Sequence, residues 1–392
     1  MDLPRNSKKY VFLLMAGHIV TDINQGALPA ILPFLVINYD FSYAAAGGLV
    51  LACNSVSSII QPLLGYVSDR FANPVIMAIG ILLAGLGIAL VGLFDSYWPM
   101  FLSVVVSGFG VALFHPEGGR MVNCVAKVKK GEAMGIFSVG GSVGFAVGPL
   151  LVAVLVPFLG MRGLLFFIVP PIVVAIVLCF NQRALKAFSD SEYHERTHRG
   201  ASAQKANWRG FGILAAVIFG GSITSYALFA FVPLFMAGEL GRTESLSITM
   251  LTIMAGMCAV SAYMGGHLSD RFGFRRIIII GCILYIPLAF LMAFTTSFGV
   301  AAVIVILLGL VMKLYQSPSV ALGQAFLPNN VGLASGITLG LAVSIGGMAA
   351  PLLGWLGDHY GLRAVFIAIA IVGVIVATIA FFIPKKGAST KG

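Results

Sequence analysis

The chain has 392 residues, 59% of them hydrophobic and only 10% charged, with a mean hydropathy of +1.00. A water-soluble domain carries roughly a quarter charged residues, so a soluble globular fold is excluded. A membrane-spanning helix takes about 20 apolar residues, so twelve would occupy about 240 of the 392 and leave short loops plus one longer connection.

Taken in chain order, the apolar runs predict spans at about 11–37, 44–67, 75–94, 97–126, 131–157 and 162–181, then 209–237, 243–267, 277–296, 298–326, 331–355 and 360–383. The 47 glycines and 17 prolines fit spanning helices, where close packing and local breaks are tolerated. Twelve spans place both termini on one side. Nineteen cations fall there, among them Arg5, Lys8, Lys9, Lys127, Lys129, Lys130, Lys385 and Lys386, against Arg162, Arg242 and Arg363 on the other. Under the positive-inside rule the terminal side is cytoplasmic, and a cytoplasmic (inner) membrane is the expected location. The net charge of +10 is then a topology signal suited to anionic lipid, and nucleic acid is not an expected partner. Cys53, Cys124, Cys179, Cys258 and Cys282 show no paired spacing, so neither disulfides nor a metal cage is expected. The first apolar run is too long for a signal segment and is expected to stay as span 1.

Internal similarity divides the chain. Gly65-Tyr66-Val67-Ser68-Asp69-Arg70-Phe71 is echoed by Gly266-His267-Leu268-Ser269-Asp270-Arg271-Phe272, a displacement of 201. Gly108 maps to Gly309, Gly131 to Gly332, Gly135 to Gly336 and Arg162 to Arg363 at the same displacement. The expected organisation is therefore two six-helix halves, 1–181 and 209–392, joined by a polar cytoplasmic linker at 182–208.

The loop Gly266-His267-Leu268-Ser269-Asp270-Arg271-Phe272-Gly273-Phe274-Arg275-Arg276 resembles the signature of the major facilitator superfamily between spans 8 and 9. The copy between spans 2 and 3 keeps Gly65, Ser68, Asp69 and Arg70 but has Ala72, Asn73 and Pro74 where glycine and basic residues are expected. His18-Ile19-Val20-Thr21-Asp22, Gln61-Pro62-Leu63-Leu64-Gly65-Tyr66 and Phe114-His115-Pro116-Glu117-Gly118-Gly119-Arg120 are similar to the fosmidomycin-resistance exporters of that superfamily. The resemblance implies an all-α membrane protein of twelve helices in two parallel repeats, with spans 1, 4, 7 and 10 lining a central cavity. It further implies alternating access and proton-coupled export of a small anionic or amphiphilic compound such as fosmidomycin. Lys313 in span 10 departs from the family pattern.

Within that frame the ionisable residues inside spans are the functional candidates. His18 and Asp22, four apart, share one face of span 1, and Asp22 lies roughly 17 Å from its terminal-side end. Asp22, Glu117, His18 and His115 are the proton-coupling candidates. Asp22 has no cation on its own helix, so Arg120, a proton or water must answer it. Glu117 and Arg120 either serve the cavity or neutralise each other as a structural pair. Arg120 and Lys313, the only cations predicted inside spans, would make the cavity electropositive, unless Lys313 snorkels toward lipid. Tyr226, Tyr315 and Gln316 complete the substrate-binding set. Asp69, Arg70, Asp270, Arg271 and Arg275 are gating candidates, since a loop carboxylate can cap a helix or pair with arginine in one gate state only. Gly144, Gly148 and Pro149 form a Gly-x-x-x-Gly-Pro pattern expected to give a tight gate between halves. No cofactor or metal is expected, and the partners expected are a small-molecule substrate, protons and the bilayer, with the chain acting as a monomer. An importer or metabolite exporter on the same scaffold is the alternative, and a metal-dependent intramembrane hydrolase is disfavoured by the absence of a His-Glu-x-x-His helix.

Overall fold

The computed structural model describes residues 5–41, 43–71, 73–198 and 205–384, which contain helices and no strand. In the first half, span 1 is Arg5–Tyr39, span 2 Tyr43–Phe71, span 3 Val75–Val91, span 4 Tyr97–Val125 and span 5 Lys130–Leu159. Span 6 opens with a tight 3₁₀ stretch, Gly160–Ile168, and continues as Val169–Phe180. In the second half, span 7 is Trp208–Gly238, span 8 Glu244–Phe272, span 9 Phe274–Phe294 and span 12 Leu362–Phe381. Large apolar side chains such as Leu51, Ile59, Phe158 and Phe180 point outward, as expected where lipid replaces water around helices whose backbone groups are satisfied internally.

Three segments differ from the sequence expectation. Span 10 is two helices, Phe298–Met312 and Gln316–Phe326, with a turn at Lys313–Tyr315. Pro318 explains the break: in a continuous helix its ring would meet the carbonyl of Leu314, whereas in the first turn of a new helix its missing N–H costs nothing. Span 11 is divided into Val331–Ser335, a wide π turn at Gly336–Leu341, Ala342–Met348 and Ala350–Tyr360. The polar stretch after span 6 begins with a helix, Gln182–His198. Leu185 and Ser189 of this linker helix are buried, and Phe188 meets Tyr10 of span 1 edge-on at 5.3 Å.

The two halves join at the face carrying the termini. The apolar cluster there combines Met121, Met134 and Phe137 of the first half with Val320 and Leu339 of the second. Toward the opposite face, Ile31, Leu35 and Met100 belong to a cluster drawn from the first half among the described residues, and Phe231, Phe235 and Met236 to one drawn from the second. The described residues thus form a closed terminal face, with a separate core in each half beyond it.

Candidate transport site and gate

Span 1 places His18 and Asp22 one turn apart, and span 4 brings His115 against them. Asp22 Oδ1 lies 3.0 Å from His115 Nε2 and Oδ2 lies 3.3 Å from His18 Nε2. Each ring is held from behind: His18 Nδ1 is 2.8 Å from the Phe137 carbonyl, and His115 Nδ1 is 3.4 Å from Gln61 Nε2 of span 2. His18 also stacks on Phe137 at 4.2 Å. All three ionisable side chains are buried. From the second half, Tyr226 of span 7 lies within electrostatic reach of Asp22.

Gly144 and Gly148 have a different neighbour from the one expected. A Cβ on Gly144 would stand 2.8 Å from the Asp22 Cβ, and one on Gly148 would stand 2.8 Å from the Ala27 amide. The closest contacts of both glycines thus seat span 5 on span 1 inside one half. Small residues state that something approaches closely, but the partner depends on which face of span 5 they occupy.

Glu117 and Arg120 form a separate group nearer the terminal face. Arg120 grips Glu117 with two bonds, Nη2 to Oε1 at 2.6 Å and Nε to Oε2 at 2.8 Å. Ser68 of span 2 donates to the same carboxylate, and Arg120 Nη1 donates to Ser189 of the linker helix at 3.1 Å. Asp22 is therefore answered by histidines and Arg120 by Glu117. Lys313 sits apart from both, at the turn of span 10, with Cys258 of span 8 within electrostatic reach. Tyr315 turns its hydroxyl onto Gly221 of span 7, where a Cβ would collide with it, and Gln316 opens the second helix of span 10.

At the terminal face the repeat becomes a contact. Asp69 accepts the Gly332 amide at 2.8 Å and the Leu333 amide at 3.0 Å, while Asp270 accepts Gly131 at 3.0 Å and Glu132 at 2.7 Å. Both carboxylates cap a helix of the other half, supplying acceptors to amides that no intrahelical carbonyl can reach. Arg70 donates to the Tyr66 hydroxyl and lies over its ring. Arg275 ties the 8–9 loop to the Phe381 and Ile383 carbonyls at 2.6 Å each, and Arg271 lies over Phe272. Asn123 and Gln324, equivalent positions of the two halves, bond to each other at 2.7 Å. Gln61 and Ser68 stood in the sequence motifs without a role assigned to them, and Ser189, Asn123 and Gln324 were not singled out from the sequence. The displacement of 201 relating Asn123 to Gln324 was the one available signal for that pair.

Comparison with known proteins gives the family and the fold. The family model "Major Facilitator Superfamily" matches residues 14–351 and 214–392. The chain is 29% identical to the uncharacterized MFS-type transporter YfnC of Bacillus subtilis, over 96% of this chain and 93% of that protein. It is 26% identical to the fosmidomycin resistance protein of Escherichia coli, over 89% and 86%, and 24% identical to the proline/betaine transporter of Salmonella typhimurium, over 78% and 68%. Among solved structures it resembles the transporter FucP in the outward conformation, with a TM-score of 0.76, 15% identity, and coverage of 97% and 100%.

Proposed function

Because the chain belongs to the major facilitator superfamily, and so is a multi-pass membrane transporter and not an enzyme, we propose that it exports a small anionic or amphiphilic compound such as fosmidomycin in exchange for protons. The observation that carries this reading is the buried His18–Asp22–His115 group. An intramembrane carboxylate held between two imidazoles, with Tyr226 of the opposite half in reach, is chemistry suited to taking up and releasing a proton as the halves move. The name of the Escherichia coli relative supports export and the class of cargo.

On this reading the terminal side is cytoplasmic in the inner membrane, the halves 1–181 and 209–392 rock about the central site, and the linker rides with the first half. The closed terminal face then corresponds to an outward-facing state, and the transporter works as a monomer. The similarity to a proline/betaine transporter favours import of a small solute as the second reading. Direction is decided in inside-out vesicles carrying the protein. Acidifying the lumen should drive fosmidomycin inward against its gradient, with expression also protecting growing cells. Accumulation of proline or betaine in whole cells without either effect would establish the second reading instead.

A further inference from the structure

The histidine pair is oriented for more than hydrogen bonding. The Phe137 carbonyl can only accept, so His18 carries its proton on Nδ1, and the Nε2 of the neutral ring turns a lone pair toward Asp22 Oδ2 3.3 Å away. Two acceptors facing each other at that distance in a buried site require something between them: a proton, on the ring or on the carboxyl, or a metal ion. His115 faces Asp22 from the opposite side, with the NH₂ of Gln61 rather than a carbonyl against its Nδ1. Gln61 Oε1 is buried without a hydrogen-bond partner. Turning that amide about its last torsion presents Oε1 to His115 Nδ1, which fixes the proton there and leaves Nε2 free beside Asp22 Oδ1 at 3.0 Å.

The donor atoms of His18, Asp22 and His115 all lie within 4.8 Å of one another. Ligands about 2.0–2.1 Å from a tetrahedral ion stand about 3.3 Å apart, which the 3.3 Å from His18 to Asp22 and the 3.0 Å from His115 to Asp22 approach, and small side-chain movements would gather the set around one ion. The two rings also have the outer partners that metal-bound histidines require, one a backbone carbonyl and one a side-chain amide. Gly141 of span 5 packs directly against the group: a Cβ there would stand 2.8 Å from both Asp22 Oδ2 and His18 Nε2 and collide with them, so only glycine leaves the two donor atoms in place.

We infer that His18, Asp22 and His115 form a binding site for one divalent transition-metal ion of the zinc class, with water completing its coordination. Two imidazoles and one carboxylate select late first-row ions over magnesium or calcium, which prefer all-oxygen cages. The ion ties span 1 to span 4 and occupies the centre of the transport site, so it inhibits transport. That inhibition rests on the transport reading; the binding does not.

The test uses the full-length protein, purified in detergent without a histidine tag and titrated with Co²⁺. One equivalent should produce the intense visible bands of four-coordinate cobalt, which Zn²⁺ then abolishes by displacement. His18→Gln and His115→Gln should each weaken Co²⁺ binding by about ten-fold or more, whereas His359→Gln, remote and exposed, leaves it unchanged. Zn²⁺ should also raise the Tm of the wild type and not of His115→Gln. Wild-type protein that shows no such bands, or bands that survive both substitutions in folded variants, overturns the site. Because no gradient or cargo enters this measurement, its failure leaves the proton-exchange reading standing, and failure of pH-driven transport leaves the metal site standing.

Discussion

Asp69 and Asp270 stand 201 residues apart and occupy equivalent places at the closed face, each accepting two backbone amides from the first turn of a helix in the opposite half. These bonds exist only while the terminal face is shut, so they bias an equilibrium between access states rather than contribute to cargo binding. Replacing either carboxylate with an amide puts an NH₂ against one N–H donor and removes the charge from the other. Hydrogen bonds to charged groups contribute about 1.5–3 kcal/mol, enough to shift the closed state about ten-fold or more. Asp69→Asn and Asp270→Asn should therefore increase labelling of cysteines placed inside the terminal face and slow turnover, with little change in cargo affinity. Equal loss of rate and affinity would contradict this.

The glycines beside those carboxylates give a sharper expectation. A Cβ on Gly65 would collide with the Gly332 carbonyl, and one on Gly266 with the Gly131 carbonyl, and backbone atoms cannot swing aside as a flexible side chain can. Within its own helix, however, alanine is favoured over glycine by about 1 kcal/mol. Gly65→Ala and Gly266→Ala should fold with undiminished Tm yet be unable to close the terminal face, losing transport almost completely. Gly256→Ala, with nothing near its added methyl, is the matched control. A fully active Gly65→Ala variant would show that the halves close elsewhere.

These glycines also show how far the sequence could be read. Gly131, Gly135, Gly332 and Gly336 revealed the repeat because they recur at one displacement, and the structure explains the recurrence: equivalent glycines make equivalent close contacts with the other half, Gly131 against Gly266 and Gly332 against Gly65. His18 and Asp22 could be placed on one face because they share a helix. What remained hidden depended on more than one helix. Span 4 looks uniformly buried around its terminal half, so periodicity could not assign His115 to Asp22 and Arg120 to Ser189. Gln61 and Ser68 likewise gave no sign of facing span 4. The break in span 10 was signalled by Pro318, but proline is common enough in spanning helices that its presence alone does not specify a break.

The Glu117–Arg120 pair calls for a stability experiment before a transport experiment. Both groups are buried and bound to each other twice, so removing one leaves an uncompensated buried charge. That costs about 3–5 kcal/mol, whereas removing both together is far cheaper. Glu117→Gln and Arg120→Gln should each lower the Tm and yield sharply, and the double variant should recover most of the loss. If the single variants are as stable as the wild type, the pair is solvated in some populated state and a direct role in the transport cycle gains support.

Coupling is tested most cleanly at Asp22, because its partners are neutralisable histidines rather than a fixed cation. Asp22→Asn keeps the shape and can still bond His115, but it cannot exchange a proton. In proteoliposomes it should abolish uphill transport driven by an imposed pH gradient while retaining cargo exchange at equilibrium. Gradient-driven accumulation at the wild-type level would remove Asp22 from the coupling step.

Lys313 separates stability from selectivity. It sits where span 10 breaks, at the C-terminal end of a half-helix whose unpaired carbonyls favour a cation, and no ion pair to a carboxylate is present among the described residues. A lysine held inside a membrane protein without an acid is costly, and it persists in functional sites because a ligand answers the charge in part of the cycle. Lys313→Met keeps the length of the side chain and removes the charge, so it should raise the Tm. If the ammonium receives an anionic cargo, the same substitution should weaken a phosphonate by about ten-fold or more and leave a neutral or cationic compound unchanged, since only the former loses a charge partner in a low-dielectric site. Binding titrations across such a series decide the matter: a stabilised variant with unaltered anion affinity would place the lysine outside cargo recognition and make its head group a lipid or interfacial anchor.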